Sequence, residues 1–212
     1  MTHHQPHLSM VPPPLIGDAQ GKYRVHIVGN SGVGKSTVGK RLAHVLNVPF
    51  IPLDTLFWNP GWRQSTTEEM QEKLERALAD APNGWVVDGN YSHQIGDIIE
   101  VNSTDTIWLD PPLALYLPRI IIRTFLRMLR LRDPCSPGCP EMVTEVFFSK
   151  ESIIWWCITN HSPLRQRQGA RMAQIGLGVG IDVESQKMRR IGGWGGELQG
   201  WLANVERMAK HM

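Results

Sequence analysis

Residues 29–36 read Gly-Asn-Ser-Gly-Val-Gly-Lys-Ser, the spacing G-x-x-x-x-G-K-[ST], and Thr37 follows directly. Gly29, Gly32 and Gly34 allow the backbone to curl so tightly that several N–H groups point into one concavity. Asn30, Ser31 and Val33 complete the curl, and Lys35 carries a cation toward its mouth. Such a loop works between a strand and a helix, because the helix N-terminus adds positive potential. Both flanks are legible here. Tyr23-Arg24-Val25-His26-Ile27-Val28 alternates and is rich in β-branched residues, and Thr37 to Leu46 has a helical pattern. The chemistry that these residue types carry is polyphosphate binding by Gly29 through Thr37. Lys35 would reach the β- and γ-phosphates and the Ser36 hydroxyl would bind magnesium, so ATP with Mg2+ is the expected ligand.

Two carboxylates fall where open α/β sheets hold ligands, at the ends of predicted parallel strands. Phe50-Ile51-Pro52-Leu53 reads as a strand ending at Asp54, and Trp85-Val86-Val87 as one ending at Asp88, before Gly89. Asp88 would hold magnesium with Ser36, and Asp54 would orient or deprotonate an acceptor hydroxyl. Between them, Thr66 to Ala81 reads as a helix with Ser65 and Glu68 at capping-box spacing and Met70, Leu74, Ala77 and Leu78 on one face. Thr106-Ile107-Trp108-Leu109 is a fourth strand, and Asp110 before Pro111-Pro112 has the form of an N-cap. A long helix to about Leu131, a Pro/Gly/Cys turn, a helical stretch to about Asn160, a last strand Lys187 to Ile191 and a closing helix Glu197 to Ala209 complete the pattern. Strands alternating with helices imply an α/β three-layer fold, a mostly parallel sheet of about five strands with helices on both faces.

Arg119, Arg123, Arg127 and Arg130 recur at helical spacing, within an arc of about 80° at about 100° per residue. Guanidinium groups so aligned suit phosphoryl oxygens and the charge that builds on a transferring group. Lys35, Asp54, Asp88, Arg119, Arg123 and Arg127 are therefore the candidate catalytic residues, and Ser36 and Asp88 the candidate magnesium ligands. Cys135, Cys139, Cys157 and His161 allow either a zinc knuckle of loose spacing or free thiols.

With 22 Lys+Arg against 20 Asp+Glu, the net charge of +2 supplies no field for nucleic acid or an anionic membrane. The most apolar stretch, Leu113 to Leu131, contains four arginines and does not read as a membrane span. Three cysteines give no disulfide framework, which points to a reducing, cytoplasmic setting. Residues 1–21, with His3, His4, His7 and a triple proline, read as a flexible leader before a single domain over 22–212.

Beyond the loop, Leu53-Asp54-Thr55-Leu56-Phe57-Trp58 with Pro60-Gly61-Trp62, Asp88-Gly89-Asn90-Tyr91, and Gly138-Cys139-Pro140-Glu141 together resemble the adenylate-kinase-related P-loop kinases known as DNA topology modulation proteins. The resemblance implies a nucleoside-monophosphate-kinase-like fold with a mobile arginine-bearing lid over about 113–161. It also implies that Arg119 and Arg123 stand at the start of the lid and that Gly192-Gly193 lies near the adenine. Adenylate kinases proper carry Asp-Gly-Phe-Pro-Arg, whose arginine grips the monophosphate. Here Asn90-Tyr91-Ser92 follows Asp88-Gly89 instead.

The leading expectation is a kinase acting on a nucleotide, nucleoside or other small hydroxylated acceptor. The alternative is a regulatory NTPase with slow hydrolysis that acts on DNA or a protein partner. Acceptor-dependent ADP production separates the two, since DNA binding would instead be steeply salt-dependent.

Overall fold

The computed structural model describes residues 12–129, 131, 136–139 and 153–211. Arg130, Arg132, Cys135, Pro140 and Glu141 lie outside the described residues, as do His3, His4 and His7.

Five parallel strands form the centre: β1 (Tyr23–Gly29), β2 (Phe50–Pro52), β5 (Gly84–Asp88), β6 (Asp105–Leu109) and β7 (Met188–Ile191). They lie in the order β2-β5-β1-β6-β7, and a separate antiparallel pair joins β3 (Trp58–Asn59) to β4 (Arg63–Gln64). β5 and β6 are buried along their whole length. Their apolar runs therefore lack a solvent face, as expected for a parallel sheet covered on both sides. Register aligns the strand ends: Ile27 pairs with Asp88, Pro52 with Asp88, and Gly29 with Leu109. The phosphate loop and both candidate carboxylates thus emerge along one edge.

Alternate residues of the strands feed different layers. Val25, Ile27, Val86, Ile107 and Leu109 pack with α1 (Lys35–Leu46), α6 (Leu113–Met128) and α9 (Gly196–Ala209), through Leu42, Tyr116, Ile120, Trp201 and Val205. Trp85 and Val87 face the other way, onto Leu53, Phe57, Met70 and Leu74. These come from the short α2 (Leu53–Phe57) and from α3 (Thr67–Ala79). Burying side chains of this size stabilises by about 1.5–3 kcal/mol each before conformational entropy is subtracted.

Three local expectations shift. The capping box of α3 is Thr66 with Glu69, one residue beyond the expected pair. Ser65 is instead buried, donating to the Leu56 carbonyl and meeting Asn59 and Lys73. Leu53 opens α2 rather than ending β2. Asp110 does not cap α6, whose N-cap is Pro112. Its carboxylate is ion-paired with Arg165 at 3.0 Å and Arg190 at 2.6 Å, a buried charge stabilised by two guanidinium groups.

The expected flexible leader is bound to the domain from residue 12 onward. Leu15 is 2% exposed within the main core. The backbone N–H groups of Ile16 and Gly17 donate to the buried Asp105 carboxylate at 2.7 and 3.1 Å, and Trp201 Nε1 donates to the Pro14 carbonyl. Residues 12–21, with Leu15 at a core site and the Asp105 carboxylate opposite their backbone, pack as part of the domain. Leu15→Ala is expected to cost about 2–5 kcal/mol of stability, read as a lowered midpoint in urea unfolding.

Candidate active site

The phosphate loop leaves β1 at Gly29 and enters α1 at Lys35. Gly29 has φ 146, and a Cβ there would stand 2.5 Å from the Leu109 carbonyl oxygen, so only glycine lets the loop turn beside β6. Gly34, at φ 99, precedes α1 without a side-chain cap, and the first turn of α1 holds no acidic residue. Its N–H groups are left available to an anion.

Lys35 folds back over the loop, donating Nζ to the Gly29 and Asn30 carbonyls at 3.0 Å each. Burial pushes its pKa down, opposed by the nearby Asp88 and Asp54 carboxylates. The Ser36 hydroxyl donates to Asp88 Oδ2 at 2.7 Å. Burial raises the Asp88 pKa, while Lys35 and Ser36 pull it back. An anion site beside a carboxylate–hydroxyl pair is the donor set that a hard divalent cation takes, with oxygen ligands and room for water. Asp54 is exposed on α2, where the Tyr91 hydroxyl donates to its Oδ1 at 2.7 Å. Asn90 grips the loop from the other side, donating Nδ2 to the Gly29 carbonyl at 2.6 Å and accepting the Gly29 N–H at 3.2 Å. The Asp88-Gly89-Asn90-Tyr91 segment therefore links the end of β5, the loop and Asp54. Beneath it, buried His26 bonds the Gly89 carbonyl through Nε2 at 2.9 Å, and desolvation pushes its pKa down to about 4.

The arginine row divides. α6 buries Tyr116, Ile120 and Thr124, leaving Arg123 half-buried with Nη2 3.4 Å from the Ser31 hydroxyl. Arg127 is also half-buried, whereas Arg119 is exposed. Of the row, the structure brings Arg123 to the loop. The zinc alternative finds no support among the described residues, where no group of three His, Cys, Asp or Glu converges. Cys139 Sγ instead meets the Asn59 carbonyl at 3.2 Å, and Cys157 Sγ the Ser31 carbonyl at 3.6 Å.

Three features escaped the sequence. Segment 136–139 is fastened to the aromatic 58–62 turn: Ser136 Oγ donates to the Trp58 carbonyl, and Gly61 N–H to that of Gly138. Within that turn Trp58 and Trp62 meet edge to face at 5.3 Å. At the other end of the site, Arg190 lies 4.9 Å over the Trp108 ring while it pairs with Asp110, and Gly192 N–H donates to Glu197. The third is the side-chain network under Asn30, described below. No short-range signal marks the long-range contacts among these; Asp110 and Arg190 are 80 residues apart.

A parallel sheet with β1 at its middle, a phosphate loop at its carboxyl edge and acids on the adjoining strands defines the class: a nucleotide-binding P-loop enzyme of the kinase type. A shikimate kinase family model matches residues 31–79, which take in the loop from Ser31 onward, Asp54 and α3. Solved structures with a similar course include a gluconokinase from Sinorhizobium meliloti 1021, 15% identical, covering 89% of this chain and 94% of that one, with TM-score 0.47. A shikimate kinase from Bacteroides thetaiotaomicron is 17% identical over 89% of this chain and 97% of its own, with TM-score 0.42. An uncharacterized protein from Eubacterium ventriosum ATCC 27560 is 11% identical over 90% and 99%, with TM-score 0.45. The family match is to a small-kinase family and does not extend to the DNA topology modulation kinship that the motifs suggested. Among the described residues no helix is long and apolar enough to cross a membrane.

Proposed function

We propose that this protein transfers the γ-phosphoryl group of Mg-ATP to a hydroxyl of a small acceptor held between Asp54 and the Trp58–Trp62 turn. The observation that carries this reading is the placement of an exposed carboxylate, Asp54 on its Tyr91 hydrogen bond, within the field of Lys35 and Asp88. The shikimate kinase match over residues 31–79 agrees with phosphoryl transfer to a small hydroxylated compound.

Magnesium would be held by Ser36 and Asp88, where it would neutralise charge on the phosphate oxygens. Lys35 leaves the Gly29 and Asn30 carbonyls to donate to the same oxygens. The loop N–H groups and the N-terminus of α1 fix the polyphosphate, and Arg123 donates to the oxygens that gain charge as the group transfers. Asp54 accepts the proton of the attacking hydroxyl, and the Tyr91 hydrogen bond aims it. Among the described residues no observation favours the DNA-directed alternative.

The test is Asp54→Asn, which keeps the shape and the Tyr91 contact and removes the base. Acceptor-dependent turnover is expected to fall about 10²- to 10⁴-fold with the Kd for Mg-ATP unchanged. Transfer at the wild-type rate would remove Asp54 from the mechanism.

A further inference from the structure

The P-loop is anchored from below by helices that lie far along the chain. Asn30 is 3% exposed, yet every polar atom of its side chain has a partner. Its Oδ1 accepts the Ser31 N–H at 2.8 Å, and its Nδ2 donates to the Cys157 carbonyl at 2.7 Å and the Tyr116 hydroxyl at 2.9 Å. The amide orientation is therefore set by chemistry. A flip would turn the NH2 group against the Ser31 N–H and the carbonyl oxygen against that of Cys157. With Asn30 as donor, the single proton of Tyr116 must go elsewhere, and His161 Nδ1 lies 2.7 Å from its oxygen. His161 is then the acceptor, neutral, with its proton on Nε2.

We propose that Tyr116 and His161 are positioning residues that preset the phosphate loop for the nucleotide. The chain of donors runs Asn30 to Tyr116 to His161, from the loop to α6 and on to α8 (His161–Ile175), while the Cys157 carbonyl of α7 (Ile153–Thr159) takes the second Asn30 proton. Tyr116 is 1% exposed and burial holds its hydroxyl protonated, pushing the pKa up to about 12, so it is a dependable donor. Each loop residue at the entrance then has a fixed direction: Gly29 through Asn90, Asn30 through Tyr116 and Cys157, and Ser31 through the Asn30 carbonyl oxygen. A loop fixed in advance does not lose that freedom when it closes on the phosphates, which is a gain in affinity rather than in chemistry.

This inference rests on the phosphate-binding reading, and equilibrium binding of Mg-ATP by calorimetry separates the two. The wild-type protein, Tyr116→Phe, His161→Ala and His161→Asn are compared, with thermal midpoints recorded alongside. Tyr116→Phe and His161→Ala are expected to weaken binding about five- to tenfold, the scale of one buried hydrogen bond. His161→Asn, whose carbonyl oxygen can replace Nδ1 as acceptor, restores most of the affinity. Lowered thermal midpoints with unchanged Kd in Tyr116→Phe and His161→Ala would make the residues merely structural and overturn the proposal. So would His161→Asn binding as weakly as His161→Ala. A wild-type protein that binds no Mg-ATP would overturn the phosphate reading and this inference with it. Should Tyr116→Phe fail to fold, the two His161 variants decide.

Discussion

Lys35→Ala is expected to lower turnover on the order of 10²- to 10³-fold, the scale of removing one preorganised donor from a buried transition-state site. Lys35 is placed for such an effect. Burial pushes its pKa down, and among the described residues its ammonium hydrogen-bonds the loop carbonyls of Gly29 and Asn30. A cation out of water interacts with phosphate oxygens more strongly than an exposed one. It gains partners of full negative charge when it swings to the polyphosphate. Those carbonyls remain satisfiable by water after the substitution, so the fold is expected to persist, with circular dichroism unchanged. Wild-type turnover in this variant would remove the cradle assignment.

Asp88→Asn is expected to cost about 10² in turnover with little change in fold. Asparagine keeps the shape and an oxygen that can accept the Ser36 hydroxyl, now at 2.7 Å from Asp88 Oδ2. What it lacks is the charge that attracts Mg2+. A titration with magnesium should therefore show a raised half-saturating concentration. The pH dependence has a definite sign. Burial raises the Asp88 pKa above that of a free carboxylate, so on acidification the metal site is protonated sooner than an exposed acid would be. At sub-saturating magnesium, wild-type turnover should fall on acidification as Asp88 takes up a proton in place of the metal, while the slow residual rate of Asp88→Asn should lack that step.

The elements that carry the site were legible because their signals are local. The loop has its spacing within eight residues, β1 alternates, β5 has an unbroken apolar run ending at Asp88, and Asp54 follows β2 within two residues. Misreadings arose wherever a side chain chose a distant partner. Asp110 before two prolines has the form of a cap, but Arg165 and Arg190 supply stronger, charge-assisted bonds than helix N–H groups do. The triple proline and lack of periodicity suggested free chain up to residue 21. Leu15 nevertheless fills a core position and Asp105 binds the backbone beside it, and no pattern within residues 1–21 announces either. Thr66 displaced Ser65 as the cap because Ser65 is taken up by Leu56, Asn59 and Lys73. The even spacing of the arginines gave one face, yet the sequence could not say which edge of that face meets the loop. The packing of Tyr116, Ile120 and Thr124 into the core decides it in favour of Arg123.

The central claim is transfer to an acceptor, and its most direct measurement is ADP release from Mg-ATP with and without a panel of nucleosides, nucleoside monophosphates and small hydroxylated metabolites, with the phosphorylated product recovered. The account predicts a large stimulation by one compound and a phosphate ester on its hydroxyl. A slow rate that no acceptor changes, with inorganic phosphate as the product, would contradict it and make this protein a nucleotide-hydrolysing module.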